Sequence, residues 1–201
     1  MRFSDALSQI SEIHEHLAKG EVYRGFRSVP VALSGVCGLL AASVQSRVVP
    51  ADDTFATVVF WLSVAAFGAV VGLSEAAYNY LFHDDPFARV RTRKVVGQFG
   101  PCLVAGAAVT VGLMRASETL APFLPGLWAI LFGLGIFSAR PYLPRAIGWV
   151  ALFYMGAGFR LLLLAQDAPV LSGWAIGGTF GSGQLAAALV LYWNLERKDH
   201  A

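Results

Sequence analysis

The sequence predicts an all-α fold, a polytopic membrane helix bundle with six transmembrane helices and a short N-terminal amphipathic helix. Three observations carry this reading. First, 56% of the 201 residues are hydrophobic and only 14% are charged, where a soluble domain carries about 25% charged residues. That deficit leaves too few polar groups to cover a water-facing surface, so lipid is the expected solvent. Second, six apolar segments lie near 29–46, 55–82, 95–114, 122–139, 146–165 and 173–194. A spanning helix needs about 20 residues, within roughly 17–25, so each crosses or nearly crosses a bilayer. Third, Lys and Arg gather on alternate connections. Arg2, Lys19, Arg24 and Arg27 precede the first segment, and Arg89, Arg91, Arg93 and Lys94 follow the second. Arg140, Arg145, Arg197 and Lys198 continue the same side, whereas the opposite side holds only Arg47 and Arg115 with several acids. A bias of this kind places both termini in the cytoplasm.

Residues 1–28 form the first part of the expected organisation, a cytoplasmic amphipathic helix and an interfacial segment. Phe3, Leu7, Ile10, Ile13 and Leu17 recur at three- and four-residue steps, and Gly20 ends the pattern. No apolar run or cleavage site marks this stretch as a signal peptide. Tyr23, Arg24, Phe26 and Arg27 then suit headgroup depth. Residues 29–194 form the expected six-span domain, and 195–201 a cytoplasmic tail. HDDPFARVRTRK reads as the largest cytoplasmic loop. Its Arg89, Arg91, Arg93 and Lys94, with Arg24 and Arg27, are candidates for contact with anionic lipid or an acidic partner. Pro101 falls inside the third span, where it should bend the helix. Gly173, Gly177 and Gly181 share one face of the sixth span and favour close helix packing, within the bundle or between protomers.

The second span carries the main candidate site. Ala65, Gly68, Gly72, Glu75, Asn79 and His83 follow three- and four-residue steps and so share a face, small outside and polar inside. An acid on this face points into the bundle, because an ionised group facing hydrocarbon costs several kcal/mol. Glu75 lies roughly 10 Å from the inner end of its span, and Cys37, Cys102, Tyr154 and Gln184 fall near the same depth. Arg160 lies about 10 Å higher, with two expected partners: Asp167 on its own face, or Glu75 below it. Glu75, Asn79, Gln184, Arg160 and Tyr154 are therefore the ligand-binding candidates. The bland alternative is that these groups hydrogen-bond the helices together.

Other chemistries find little support. Cys37 and Cys102 are the only soft metal-ligand candidates, and no motif accompanies them. The spans hold no His to ligate haem or to activate Ser182. His83 beside Asp84 and Asp85 suits a helix end near water. No catalytic residue, no cofactor and no nucleic-acid partner is expected.

IHEHLAKGEVYRGFRSVPVALSG and the closing LYWNLERK resemble stretches of uncharacterised bacterial six-span integral membrane proteins of no assigned activity. The resemblance covers most of the chain and implies the architecture and a bacterial inner membrane, but no site. The function expected is a small-molecule or ion binding or transport-type protein with a cytoplasm-facing polar site around Glu75. The alternative is a structural or regulatory subunit that assembles through small-residue faces and the basic loop. Membrane lipid, a second copy or another membrane protein are the partners expected.

Overall fold

The computed structural model describes residues 27–50, 52–82, 86–166 and 171–197. The expected amphipathic helix at 3–19, Arg24, the His83–Asp85 cluster, Asp167 and Lys198 lie outside the described residues. Helix α1 (Ser28–Val48) starts at the first apolar run, and α2 (Thr54–Phe82) follows a short connection. Asp53 caps α2 by accepting a hydrogen bond from the Ala56 amide at 2.7 Å. Helix α3 (Pro86–Ala116) leads through a 3-10 segment (Glu118–Phe123) into α4 (Leu124–Ala139). A second 3-10 turn (Arg140–Tyr142) precedes α5 (Ile147–Leu163). Helix α6 (Gly173–Leu191), capped by Ser172, runs on into a π turn (Tyr192–Glu196).

One boundary differs from the sequence reading. The basic stretch read as a loop is helical from Pro86 onward and continuous with α3. Proline suits a first helical position because its missing N–H needs no partner there. Arg and Lys are also good helix formers, so the charges ride on an overhang of α3. The helix continues unbroken past Pro101.

Ser28–Val48, Thr54–Ser74, Thr92–Ala116, Glu118–Tyr142 and Gly173–Glu196 are long and apolar enough to cross a membrane. Helix α5 is apolar but shorter, at 17 residues. The distribution of side-chain size supports a membrane protein. Val29, Leu33, Val36, Leu40 and Val44 point outward from α1, whereas Gly35, Gly38, Ala41 and Ala42 point inward. In lipid no hydrophobic drive holds helices together, so small residues go to the seams, where backbones can approach.

Each helix packs on its neighbours in sequence, and α6 returns to α1, which makes a closed ring. The α1–α6 and α4–α5 seams are the most extensive, and the α2–α3 seam is slight. Both extensive seams are glycine-lined. A Cβ added at Gly177 would lie 2.5 Å from the Gly38 carbonyl oxygen, and one at Gly181 would lie 2.9 Å from that of Gly35. On the other side, a Cβ at Gly158 would lie 2.6 Å from the Gly126 oxygen. The face of Gly177 and Gly181 is therefore spent on α1 of the same chain. The ring closes at both ends. Gln45 accepts from Trp61 Nε1 at 2.7 Å and donates to the Leu171 carbonyl at 2.9 Å. At the end rich in Arg and Lys, the Glu196 carboxylate accepts from the Ser28 amide and hydroxyl, both at 2.7 Å. Leu195 is buried beside it, so the expected tail at 195 begins as part of the bundle.

Candidate functional site

Where α2 and α3 touch least, the ring forms a partly open chamber of about 390 Å³. Ala65, Gly68 and Gly72 line it from α2, the same small-residue face that leads to Glu75 in sequence. Helix α3 contributes Phe99, Cys102 and Gly106, again at three- and four-residue steps. Phe132 and Ile136 of α4 face it, as do Phe180 and Gln184 of α6 and Ser34 of α1. Helix α5 stands behind α4 and α6 and contributes only Ile147 at its basic end.

The walls are almost wholly apolar. Phe132 meets Phe99 edge-on at 5.2 Å between centroids and Phe180 at 5.9 Å. The polar groups at the wall are mostly occupied. Ser34 donates to the Val31 carbonyl at 2.7 Å, and the Trp61 indole is held by Gln45. Trp128, near the far end, donates to Thr110 at 2.8 Å. Gln184 is the exception. It is half-buried with its Cβ against Gly35, and its amide has no hydrogen bond among the described residues.

The sequence-derived candidates separate into three groups. Gln184 and Cys102 stand at the chamber wall, while Cys37 is half-buried on α1 outside it. Tyr154 is fully buried behind the wall, packs on Phe132 at 5.0 Å and donates to the Phe180 carbonyl at 3.0 Å. A Cβ at Gly183 would strike its ring, so the missing side chain on α6 makes room for the phenol of α5. Tyr154 thus ties two helices and does not face the chamber. Arg160 is exposed near the far end of α5 and does not line the chamber either. Glu75 and Asn79 belong to α2, and their side chains lie outside the described residues, as does that of Arg91. No group of three or more His, Cys, Asp and Glu capable of holding a metal occurs among the described residues.

Several cations stand at the end of the bundle where α1 begins, although none of them lines the chamber. Val95, which is buried and lines the chamber, directly follows Arg93 and Lys94. Arg140 stacks over Phe137 at 5.8 Å at the end of α4. Arg27 and Arg89 stand at the same end.

Sequence reasoning missed the phenylalanine wall, Ser34 and the Gln45 tie. The α3 face was open to the argument used for α2, because Phe99, Cys102 and Gly106 repeat the same spacing. Compared with known proteins, the chain matches no family model, no curated protein and no solved structure.

Proposed function

We propose that this chain is a six-span protein of a bacterial inner membrane, with both termini in the cytoplasm, and that it binds or transports a small ligand through the interhelical chamber. The observation that carries the reading is the chamber itself, about 390 Å³ and walled by five helices of the ring. Cavities of several hundred cubic ångströms between helices are the usual form of a ligand site in a bundle. Glu75 and Asn79 follow Gly72 by three and seven residues in α2, so their positions extend its lining face toward the basic end. An acid at that depth is a functional group by default, since the bilayer penalises it otherwise. With 17 residues, α5 reaches the lower limit of a spanning helix.

The packing pattern supports transport over simple storage. Contact is extensive, slight and extensive across α1–α2, α2–α3 and α3–α4, and the same order repeats across α4–α5, α5–α6 and α6–α1. Three helices per half give the halves opposite orientations, the arrangement in which many transporters place a site at the midplane.

The test is native mass spectrometry of the protein extracted gently from its own membrane, for wild type and Glu75→Gln. A bound molecule lost in the variant supports the reading. An empty protein in stoichiometric complex with another membrane protein replaces it with the assembly role.

A further inference from the structure

We infer that the chamber takes an uncharged lipophile drawn from the bilayer, an apolar body interrupted near its middle by a carbonyl group that meets the Gln184 amide. The inference rests on the chamber being a binding site and names the ligand class it takes. Charge comes first. Among the described residues, no Lys, Arg, His, Asp or Glu lines the chamber. The nearest cations are turned away from it. Arg93 stands two residues before Val95, on the other side of α3, and Arg140 lies over the Phe137 ring. An ionised ligand would give up its water here and meet no described counter-charge on the wall, which an apolar interior penalises heavily.

Polarity comes second. Gln184 is half-buried at the wall, and its amide has no hydrogen bond among the described residues. An amide removed from water without a partner is costly, so a ligand group that accepts from it is favoured. The α6 lining runs from Ile176 to Leu191, which leaves about 12 Å of wall on one side of the amide and about 10 Å on the other. Contacts with α1 set the same level on α2. A Cβ at Gly35 would lie 3.1 Å from Gln184 Cβ, and one at Gly68 would lie 3.5 Å from Ser34 Cβ. Gln184 therefore stands level with Gly68, in the middle of the α2 face. A headgroup at the end of a chain does not fit this placement, because a group that meets Gln184 has apolar wall on both sides. A quinone carbonyl or a mid-chain ketone has the required form. Position 75 lies seven residues past Gly68, about 10 Å along α2, so the acid's place at the end of the slot is within a ligand's length of the amide.

Access comes third. Leu73 of α2 and Leu103 of α3 both line the chamber and are both exposed. The slot therefore opens sideways between the two helices that touch least, and a molecule dissolved among lipid chains reaches it without crossing water. The glycines along this slot are not packing residues. A Cβ at Gly72 or Gly106 would meet nothing within 4 Å, whereas one at Gly177 would meet backbone at 2.5 Å. Their absent side chains keep space open rather than bring helices together, and the rings of Phe99, Phe132 and Phe180 line the rest of it.

The experiment measures the binding of four probes to the protein in nanodiscs, read from the emission of Trp61 and Trp128, which line the chamber. The probes are 2-hexylnaphthalene, its ketone with the carbonyl next to the ring, and the two analogues whose chains end in an ammonium or a carboxylate. Each affinity is corrected for partition into protein-free nanodiscs. Four chains are compared: wild type, Gly106→Leu, Gly97→Leu and Gln184→Met. Gly97 is equally open but does not line the chamber, so its variant controls for the substitution itself. The ketone is expected to bind wild type and Gly97→Leu alike, about fivefold tighter than the hydrocarbon through its hydrogen bond, and tighter still than either ion. Gly106→Leu should weaken ketone binding at least tenfold with an unchanged unfolding temperature. Gln184→Met should bind ketone and hydrocarbon equally. Mass spectrometry of an organic extract of the protein from its own membrane then tells a quinone from a long-chain ketone as the natural source. An ion bound as tightly as the ketone, and lost in Gly106→Leu, overturns the uncharged class and leaves the chamber as the binding site. A preference for the ketone that survives Gln184→Met also overturns the inference. Probe binding unaffected by Gly106→Leu removes both the inference and the chamber reading.

Discussion

Replacing Gly177 by alanine adds one methyl group to the tightest seam of the ring. The new carbon would lie 2.5 Å from the Gly38 oxygen, 2.6 Å from Trp61 Cη2 and 2.7 Å from Ala42 Cβ. Ordinary contact begins near 3.4 Å, so α1 would have to retreat by about 0.9 Å, the difference between 3.4 and 2.5. Two of the three obstacles belong to α1 itself. The third is an indole fixed by its bond to Gln45, so no flexible side chain absorbs the strain. Overpacking costs about 1–3 kcal/mol, and Gly177→Ala is expected in the upper half of that range. Gly106→Ala is the matched control, because its Cβ enters open space. It should hold or slightly raise stability through helix propensity, by up to about 1 kcal/mol. Unfolding of both variants in the same detergent, followed by tryptophan fluorescence, reads the difference directly. Equal stability of the two would refute the reading of Gly177 as a packing glycine and Gly106 as a chamber glycine.

Three further outcomes are expected. Glu196→Ala removes both acceptors from Ser28 and should cost about 1–2 kcal/mol, visible as faster hydrogen exchange in the first turn of α1. Tyr154→Phe keeps the ring and loses only the bond to the Phe180 carbonyl, so a loss of about 0.6–1.7 kcal/mol is expected from chemical denaturation in micelles. A larger loss would mean that the hydroxyl serves more than this one tie. Gln45→Leu strands the Trp61 N–H and the Leu171 carbonyl together and should cost about 1–3 kcal/mol, with a shift of indole emission as its optical sign.

The helices were legible because lipid imposes a minimum length and a uniform composition, and six apolar runs announce themselves. The inward face of α2 was legible too, since Ala65, Gly68 and Gly72 stand out against Val, Phe and Leu. The extent of α3 was not. Arg89, Arg91, Arg93 and Lys94 interrupt the hydropathy signal without interrupting the helix, because hydropathy reports the solvent and helix formation follows the backbone. The place of Tyr154 was hidden for a different reason. Residue counting sets it near the level of Gln184, but whether a side chain at that level faces a chamber or a neighbour depends on Gly183, a residue on another helix. Gly177 and Gly181 declared themselves as packing residues, yet only three-dimensional proximity names α1 as what they pack against.

The clasp between Ser28 and Glu196 joins residues 168 positions apart, and it has a consequence in time. At a synthesis rate of about 5–20 residues per second, the first helix waits roughly 8–35 s for the residue that caps it. During that interval α1 also lacks α6, its most extensive neighbour. The early helices must therefore sit in the membrane as an open arc, with glycines bared to lipid, until the last helix arrives and shuts it. A chain that stopped short of α6 would leave the Gly35 and Gly38 face of α1 uncovered, so the seam that holds the ring most extensively is also the last one that synthesis can supply.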